Sequence, residues 1–286
     1  MKLRSVISTS SNAWNNGMLH DFSPLVTVLI PVYNGADYLG IAIESALAQT
    51  YPNIEVVVVN DGSTDNGATE AVARSFGQRI RYVRKDNGGV ASALNRGIAE
   101  AQGHYISWLS HDDFYYPAKV ATQVEYLRLL EAPDTLTFTA IRLVDENGAT
   151  IRDHIVEPRW LRDVALTVLS TSVNGCATLV PRSAFNLAGI FDETLKTVQD
   201  NDLWLRMALA GVPFAYLPVP LVASRLHPGQ TSVRIRDVHA GEKELFYTRA
   251  LRALGPRFES LADDIIDILV SKNLPESARL ARAMRG

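Results

Sequence analysis

The sequence predicts an α/β fold: a mostly parallel, doubly wound central sheet flanked by helices, followed by a helical C-terminal extension. Three observations carry this. Residues 25–30 and 54–59 are apolar, β-branched runs with Glu55 as their one charge, the pattern of strands covered on both faces. After each run comes a polar turn cluster, then apolar residues at helical spacing. Strand and helix alternate four times in about 90 residues, as a parallel sheet with helical crossovers requires.

The first strand is expected over residues 25–30, ended by Pro31, with a helix over 36–49 in which Leu39, Ile43 and Leu47 recur every four residues. The second strand, 54–59, stops at Asn60-Asp61-Gly62-Ser63, and a helix over 65–76 follows with Thr64 or Asp65 as cap. A short third strand spans 80–83. Asn87-Gly88-Gly89 then opens a helix carrying Val90, Leu94 and Ile98 and closed by Gly103. The fourth strand, 105–109, runs into Ser110-His111-Asp112-Asp113.

Beyond this point the pattern loosens. Pro117 suits the first turn of a helix reaching residue 131. Strands are expected over 135–144, 177–180, 214–217 and 221–226, a turn at Glu146-Asn147-Gly148, and helices over 160–169, after Pro181, and over 200–210. Two helices with a basic tail (Lys272, Arg279, Arg282, Arg285) fill the rest from Val238. The chain divides into a loose N-terminal arm (1–23), a first half (24–113), a second half sharing the same sheet (114–232) and the helical extension (233–286).

Composition narrows the class. Hydrophobic residues make up 47% of 286 and charged residues 21%, enough for a core without disulfides or a structural metal. Cys176 is the one cysteine, so no intrachain disulfide can form, and it reads as a small buried filler. A net charge of −3 argues against nucleic acid as a partner. No apolar run is long enough to span a membrane, and the first residues lack the apolar core of a signal peptide, so the cytosol is the expected compartment.

Open α/β sheets bind ligands at the carboxyl ends of their strands. Three polar clusters fall there: Pro31-Val32-Tyr33-Asn34, Asn60-Asp61-Gly62-Ser63 and Ser110-His111-Asp112-Asp113. Each alone could be an ordinary polar turn; their convergence on one rim points to a site. Neither the dinucleotide-binding G-x-G-x-x-G nor the P-loop signature is present. Adjacent carboxylates at Asp112-Asp113 offer hard oxygen ligands for Mg²⁺ or Mn²⁺, ions that usually complete their shell with water and substrate phosphate.

Four blocks in order carry a family resemblance: Val28-Leu29-Ile30-Pro31-Val32-Tyr33-Asn34; Val57 to Asp65 with Asn60-Asp61-Gly62-Ser63 at its centre; Asn87-Gly88-Gly89 to Gly97 leading to Asp112-Asp113; and Gly189-Ile190-Phe191-Asp192-Glu193 followed by Gln199-Asp200-Asn201-Asp202-Leu203-Trp204. Over residues 24–232 the chain resembles the inverting glycosyltransferases of family 2, whose fold is called GT-A. The resemblance implies transfer of a sugar from a nucleotide-diphosphate sugar to a hydroxyl of a glycan or lipid-linked acceptor. It implies nucleotide contacts from Pro31, Tyr33 and Asn34, with Tyr33 packed on the base. Asp61 would accept a hydrogen bond from a base such as uracil, which favours a UDP-type donor.

By the same resemblance Asp113 is the direct ligand of a divalent metal, Mn²⁺ or Mg²⁺, and Asp112 a ribose contact or a support for the metal. Asp200 is the general base, a role that needs a carboxylate across the sugar from the metal and within about 3 Å of the attacking hydroxyl; its position also suits a helix N-cap. Gln199 stands beside it where the family has Glu, and Asn201 where an aromatic residue is common. Ser110 replaces the usual first acidic residue of the metal motif. The late segment from Arg225 to Ser232 resembles the family's R-x-H…S pattern, which implies phosphate support from Arg225 and a metal or diphosphate contact from His227. A saccharide-binding protein without catalysis and a sugar nucleotidyltransferase are the competing readings; the second lacks its Gly-rich loop after the first strand. With a lipid-linked acceptor, the basic C-terminal helices would gain a peripheral membrane contact.

Overall fold

The computed structural model describes residues 22–171, 173–230 and 234–285, so the expected N-terminal arm lies almost wholly outside the described residues. The first half follows the predicted alternation: β1 (Val26–Val32), α1 (Leu39–Leu47), β2 (Ile54–Asp61), α2 (Ala68–Ser75), β3 (Arg81–Lys85), α3 (Val90–Glu100) and β4 (Tyr105–Trp108). β1 runs parallel to both β2 and β4, and β2 parallel to β3, which puts all four carboxyl ends on one rim. Val32 pairs with Asn60, so Tyr33 and Asp61 leave the sheet side by side.

Pro31 does not end β1; it lies inside it, paired with Val59. The β1–β4 ladder stops at Leu29 and Trp108, and the Leu29 carbonyl accepts the N–H of Leu109 at 2.9 Å. A residue's N–H and C=O leave a strand on the same side, and alternate residues share that side. The N–H that Pro31 lacks would therefore point where β4 has already ended, so no ladder bond is lost.

The second half comprises β5 (Phe114–Tyr115), α4 (Lys119–Leu130), β6 (Leu136–Val144), β7 (Thr150–His154), α5 (Val164–Thr171), β8 (Thr178–Pro181), α6 (Arg182–Ala188), α7 (Gln199–Leu209) and β9 (Phe214–Arg225). Its strands extend the sheet in the order β3-β2-β1-β4-β8-β6-β9-β5, with β7 on β6. Here the sheet is mixed: β8 is antiparallel to β4 and β6, β9 parallel to β6, and β5 antiparallel to β9. Two expected strands are the single strand β9, whose register against β6 shifts near Leu217-Pro218-Val219-Pro220. β7 has no buried face and so no period-two signal.

Among its described residues the extension runs mainly through three helices, not the expected two: α8 (Arg236–Leu254), α9 (Arg257–Ser271) and α10 (Pro275–Arg285), broken at Gly255-Pro256 and before Pro275. Phe246, Tyr247, Leu251, Phe258, Leu261, Ile265 and Leu269 belong to the same buried cluster as Leu203, Trp204 and Met207 of α7 and Leu94 of α3. The extension is thus continuous with the core behind the sheet. The opposite face is covered by α1 and α2, where Leu39, Ile43 and Ala73 pack on Val28, Ile30, Val56 and Val58.

Candidate functional site

The first part of the rim is tied together by side chains. The Ser63 hydroxyl accepts the Asn34 N–H at 2.9 Å, and Asn34 Oδ1 accepts the Thr64 N–H at 2.7 Å, joining the turns after β1 and β2. Asn34 does this from a left-handed conformation, φ 49°, which Asn tolerates better than most residues. Tyr33 is 41% exposed, with its hydroxyl 3.4 Å from Thr64 Oγ1, so its ring is free to cover a ligand. Pro31, expected at the nucleotide, is buried within β1.

Asp61 is 3% exposed, and both its oxygens are engaged. Oδ1 accepts from Lys85 Nζ at 2.7 Å and the Gly88 N–H at 3.0 Å; Oδ2 accepts the Gly89 N–H at 2.7 Å. These amides precede α3, whose N-terminus favours a carboxylate. A Cβ at Gly62 would meet the Asn87 nitrogen at 2.6 Å, and its φ is 69°, so only glycine lets the two loops close this tightly. In front of them lies a cleft of about 420 Å³ lined by Gly62, Ser63, Thr64, Arg84, Lys85, Asp86 and Asn87. The donor-bearing Lys85 and Arg84, which sequence reasoning passed over, line the cleft, while Asp61 stands behind them.

Asp112 and Asp113 follow β4 and meet the end of β9. The Asp113 carboxylate is buried, and Oδ1 accepts the Arg225 N–H at 2.8 Å. Burial, reinforced by the charge of Asp112, holds its pKa well above the usual carboxylate range. Asp112 Oδ2 lies 3.0 Å from His227 Nε2. Arg225, expected to support phosphate, is 3% exposed: Nε donates to the Asp112 carbonyl at 2.9 Å and Nη1 to the Glu146 carbonyl at 2.7 Å. Its guanidinium also covers the ring of Tyr38 at 4.5 Å, and that ring packs against His227. Arg225 is therefore a buried clip that fixes the backbone of the acidic pair, and Tyr38 is a second contributor without a motif to announce it. Ser232, the last residue of the R-x-H…S pattern, lies outside the described residues.

The donor set fits a hard divalent ion. Asp112 and Asp113 are adjacent in sequence and Asp112 meets the His227 imidazole, and a cation would relieve the cost of holding a buried carboxylate beside a second one. Among the described residues no three His, Cys, Asp or Glu side chains come together in a geometry that could hold an ion. Substrate oxygens and water would complete the shell, the usual arrangement for Mg²⁺.

Beneath β4 lies a polar knot with no sequence signal. Lys119 is fully buried, donates to Ser107 Oγ and, at 2.9 Å, to the Thr178 carbonyl, and sits 4.3 Å from the centre of the Tyr115 ring. Burial lowers its pKa to about 7. Cys176 is buried, as expected, and its sulfur accepts the Ser110 N–H at 3.2 Å.

α7 carries Asp200 in its first turn. The helix begins at Gln199 with Val198 in the N-cap position, so Asp200 is not the cap; its Oδ1 accepts the next N–H, that of Asn201, at 2.8 Å. Burial raises its pKa to about 6, against backbone hydrogen bonds that lower it. Trp204 follows one turn later on the same face. It packs edge-on against Phe191 with centroids 6.1 Å apart, and Phe191 against Trp108, the last residue of β4, at 6.0 Å. A Cβ at Gly175 would lie 2.2 Å from the Trp108 ring, and Trp204 Nε1 donates to the Val173 carbonyl at 3.0 Å. These contacts turn the Asp200 face of α7 toward the carboxyl end of β4. Gln199 is 5% exposed, and its Oε1, like Oδ1 of Asn201, is buried without a hydrogen-bond partner among the described residues.

The sequence profile described as glycosyl transferase family 2 matches residues 27–185. An uncharacterized glycosyltransferase of Rickettsia felis is 46% identical over 240 residues, which cover 82% of this chain and 40% of that protein; the chain thus spans about two fifths of the relative's length. Among solved structures, residues 1–349 of S. aureus TarS in complex with UDP-GlcNAc align with a TM-score of 0.63 and 16% identity over 91% of this chain and 88% of the other. The mannosyltransferase PcManGT from Pyrobaculum calidifontis, in complex with GDP-Man and Mn²⁺, aligns with a TM-score of 0.63 and 20% identity over 92% and 74%. The architecture is the GT-A fold that the four sequence blocks imply.

Proposed function

The chain belongs to glycosyl transferase family 2, and on that premise we propose that it transfers a sugar, with inversion, from a nucleotide-diphosphate sugar to a hydroxyl of a glycan or lipid-linked saccharide. One observation carries the reading: a single rim of the sheet holds a cleft of about 420 Å³ beside Tyr33 and Asp61 and, after β4, adjacent carboxylates of which Asp113 is buried. The first suits a nucleoside, the second the diphosphate that follows it. Tyr33 covers the base, Asn34 and Asp61 hold the cleft walls, and Lys85 offers a donor to a base carbonyl; the sequence resemblance at Asp61 is what favours a UDP-type donor. Asp113, with His227 and Asp112 beside it, would hold Mn²⁺ or Mg²⁺. When bound, such an ion supplies positive charge where the leaving diphosphate gains negative charge.

Across the sugar, Asp200 accepts the proton of the attacking hydroxyl. The new glycosidic bond forms as the bond from the anomeric carbon to the diphosphate oxygen breaks, and nucleoside diphosphate leaves with that electron pair. Gln199, buried beside Asp200 with an unsatisfied amide oxygen, positions hydroxyls around the reacting centre.

UDP-GlcNAc and GDP-Man are the natural first members of a donor panel. The expected result is a Mn²⁺-dependent rise in Tm with one nucleotide class, and release of the matching nucleoside diphosphate. Nucleotide affinity without turnover under any acceptor would leave a binding protein instead.

The membrane contact rests on α10. Arg285 is paired with Asp263, but Arg279 and Arg282 border a groove of about 390 Å³ that includes Leu269, Val270 and Leu274. Removing residues 272–286 would also remove the buried Leu274, Ala278 and Ala281, so charge reversal is the cleaner variant. Arg279→Glu with Arg282→Glu is expected to weaken sedimentation with phosphatidylglycerol vesicles by at least about tenfold, given roughly 1 kcal/mol per basic residue near an anionic surface. Equal sedimentation of variant and parent would end the membrane reading.

A further inference from the structure

The family match ends at residue 185, yet Asp200 and the helices behind it lie beyond that point. The segment leading into α7 has little regular structure of its own. Thr194 folds back on Asp192, whose Oδ1 accepts the Thr194 N–H at 2.9 Å and its hydroxyl at 2.7 Å. Leu195 and Val198 are buried anchors, but the N-cap of α7 makes no side-chain bond. The hydrogen bonds between these anchors come from elsewhere in the chain. Glu242 of α8 accepts the Lys196 N–H at 2.8 Å through Oε1, and the Thr197 N–H at 2.8 Å and hydroxyl at 2.7 Å through Oε2. One ionised side chain thus closes three donors in the four residues before Asp200.

We infer that Glu242 is a positioning residue for the reaction: through the Lys196–Thr197 backbone it fixes the first turn of α7 and with it the carboxylate of Asp200. The inference rests on the reading of Asp200 as base. Charge-assisted hydrogen bonds are short and directional, and a carboxylate taking two successive amides sets the path of the chain as well as its distance. A general base displaced by about 1 Å can lose about a hundredfold in rate. The C-terminal extension then completes the acceptor side of the site.

α8 supplies its own control. Glu244, two residues on and so about 200° around the helix, faces away from Glu242. It accepts the Ser277 N–H at 3.1 Å and hydroxyl at 2.5 Å, capping α10. Removing it costs comparable hydrogen bonds without touching the α7 segment.

The experiment compares E242A, E242Q, E244A and D200N in the full chain. It measures nucleoside diphosphate release from UDP-GlcNAc and GDP-Man, affinity for UDP and GDP, and Tm. Gln at 242 keeps the shape but turns one acceptor into a donor facing an N–H. Both Glu242 variants are therefore expected to lose about 10- to 100-fold in kcat, with nucleotide affinity within about twofold, while E244A keeps its kcat. Unchanged kcat in both Glu242 variants beside an inactive D200N would overturn this inference alone. A parallel loss of kcat in E244A, or loss of nucleotide affinity in E242A and E242Q, would reduce Glu242 to general support of the fold and overturn it as well. Full turnover by D200N would remove the base reading and this inference with it.

Discussion

Asp200→Asn is expected to lose about 10²- to 10⁴-fold in kcat, the usual contribution of a general base, while becoming more stable at neutral pH. The two effects have one cause. Burial raises the carboxyl pKa to about 6, whereas the unfolded chain has the ordinary value near 3.8. A carboxyl whose folded pKa lies above its unfolded one favours the fold while protonated. That contribution is complete below about pH 3.8 and is lost as pH rises through about 6. At pH 8 the native site therefore holds an ionised carboxylate at a cost of about 1–3 kcal/mol, and Asn, which cannot ionise, escapes it. The Asn oxygen still accepts the Asn201 N–H, so no hydrogen bond need be lost. A Tm rise of a few degrees at pH 8 and none at pH 4 is expected. In the parent, kcat should rise with pH and level off above about pH 6, and the variant's residual rate should be flat. Turnover by Asp200→Asn at the parent rate would refute the assignment, and a Tm difference independent of pH would show that Asp200 carries no buried charge.

How much of this was legible in the sequence depends on whether the signal was local. β1, β2 and α3 were readable because continuous apolar runs and a helical stripe are one-dimensional patterns, and the shared rim follows from parallel pairing. β7 was not, because a strand exposed on both faces has no alternation to detect. β9 was read as two strands because Pro218 and Pro220 break the hydrogen-bond pattern locally, while the pairing with β6 resumes beyond them. Arg225 also has partners that the sequence could not show. An arginine near acidic residues and an implied phosphate suggests an ionic contact, but its partners are carbonyls of Asp112 and Glu146, and carbonyls are invisible to residue-type reasoning. Lys85, Tyr38, Lys119 and Glu242 belong to no motif; each matters through a partner distant in the chain, which only the fold discloses. Asp61 shows the intermediate case: its place on the rim was readable, but its saturation by Lys85 and the Gly88 and Gly89 amides was not.

Asp113→Asn tests the other side of the sugar. Asn is close to isosteric and its oxygen can keep the Arg225 N–H that Oδ1 accepts at 2.8 Å, so the backbone clip survives and only the charge is removed. Without metal, the parent confines two carboxylates on adjacent residues, one of them 5% exposed, a poor arrangement for negative charge. The metal-free variant should therefore be at least as stable as the parent. Metal reverses the comparison. Saturating Mn²⁺ with UDP or GDP should stabilise the parent by about 2.7 kcal/mol at a hundredfold excess over Kd and leave the variant nearly unmoved. Nucleotide affinity measured with Mn²⁺ should fall by about 100-fold or more, given that even residues supporting a metal site cost 10- to 100-fold, while affinity without metal stays close to that of the parent. The Tm measurements need no acceptor and no turnover, so they separate loss of the cation from loss of catalysis. An undiminished Mn²⁺-dependent Tm shift in Asp113→Asn would place the ion elsewhere. A parent that shows no such shift would mean that the acidic pair serves the nucleotide without a cation.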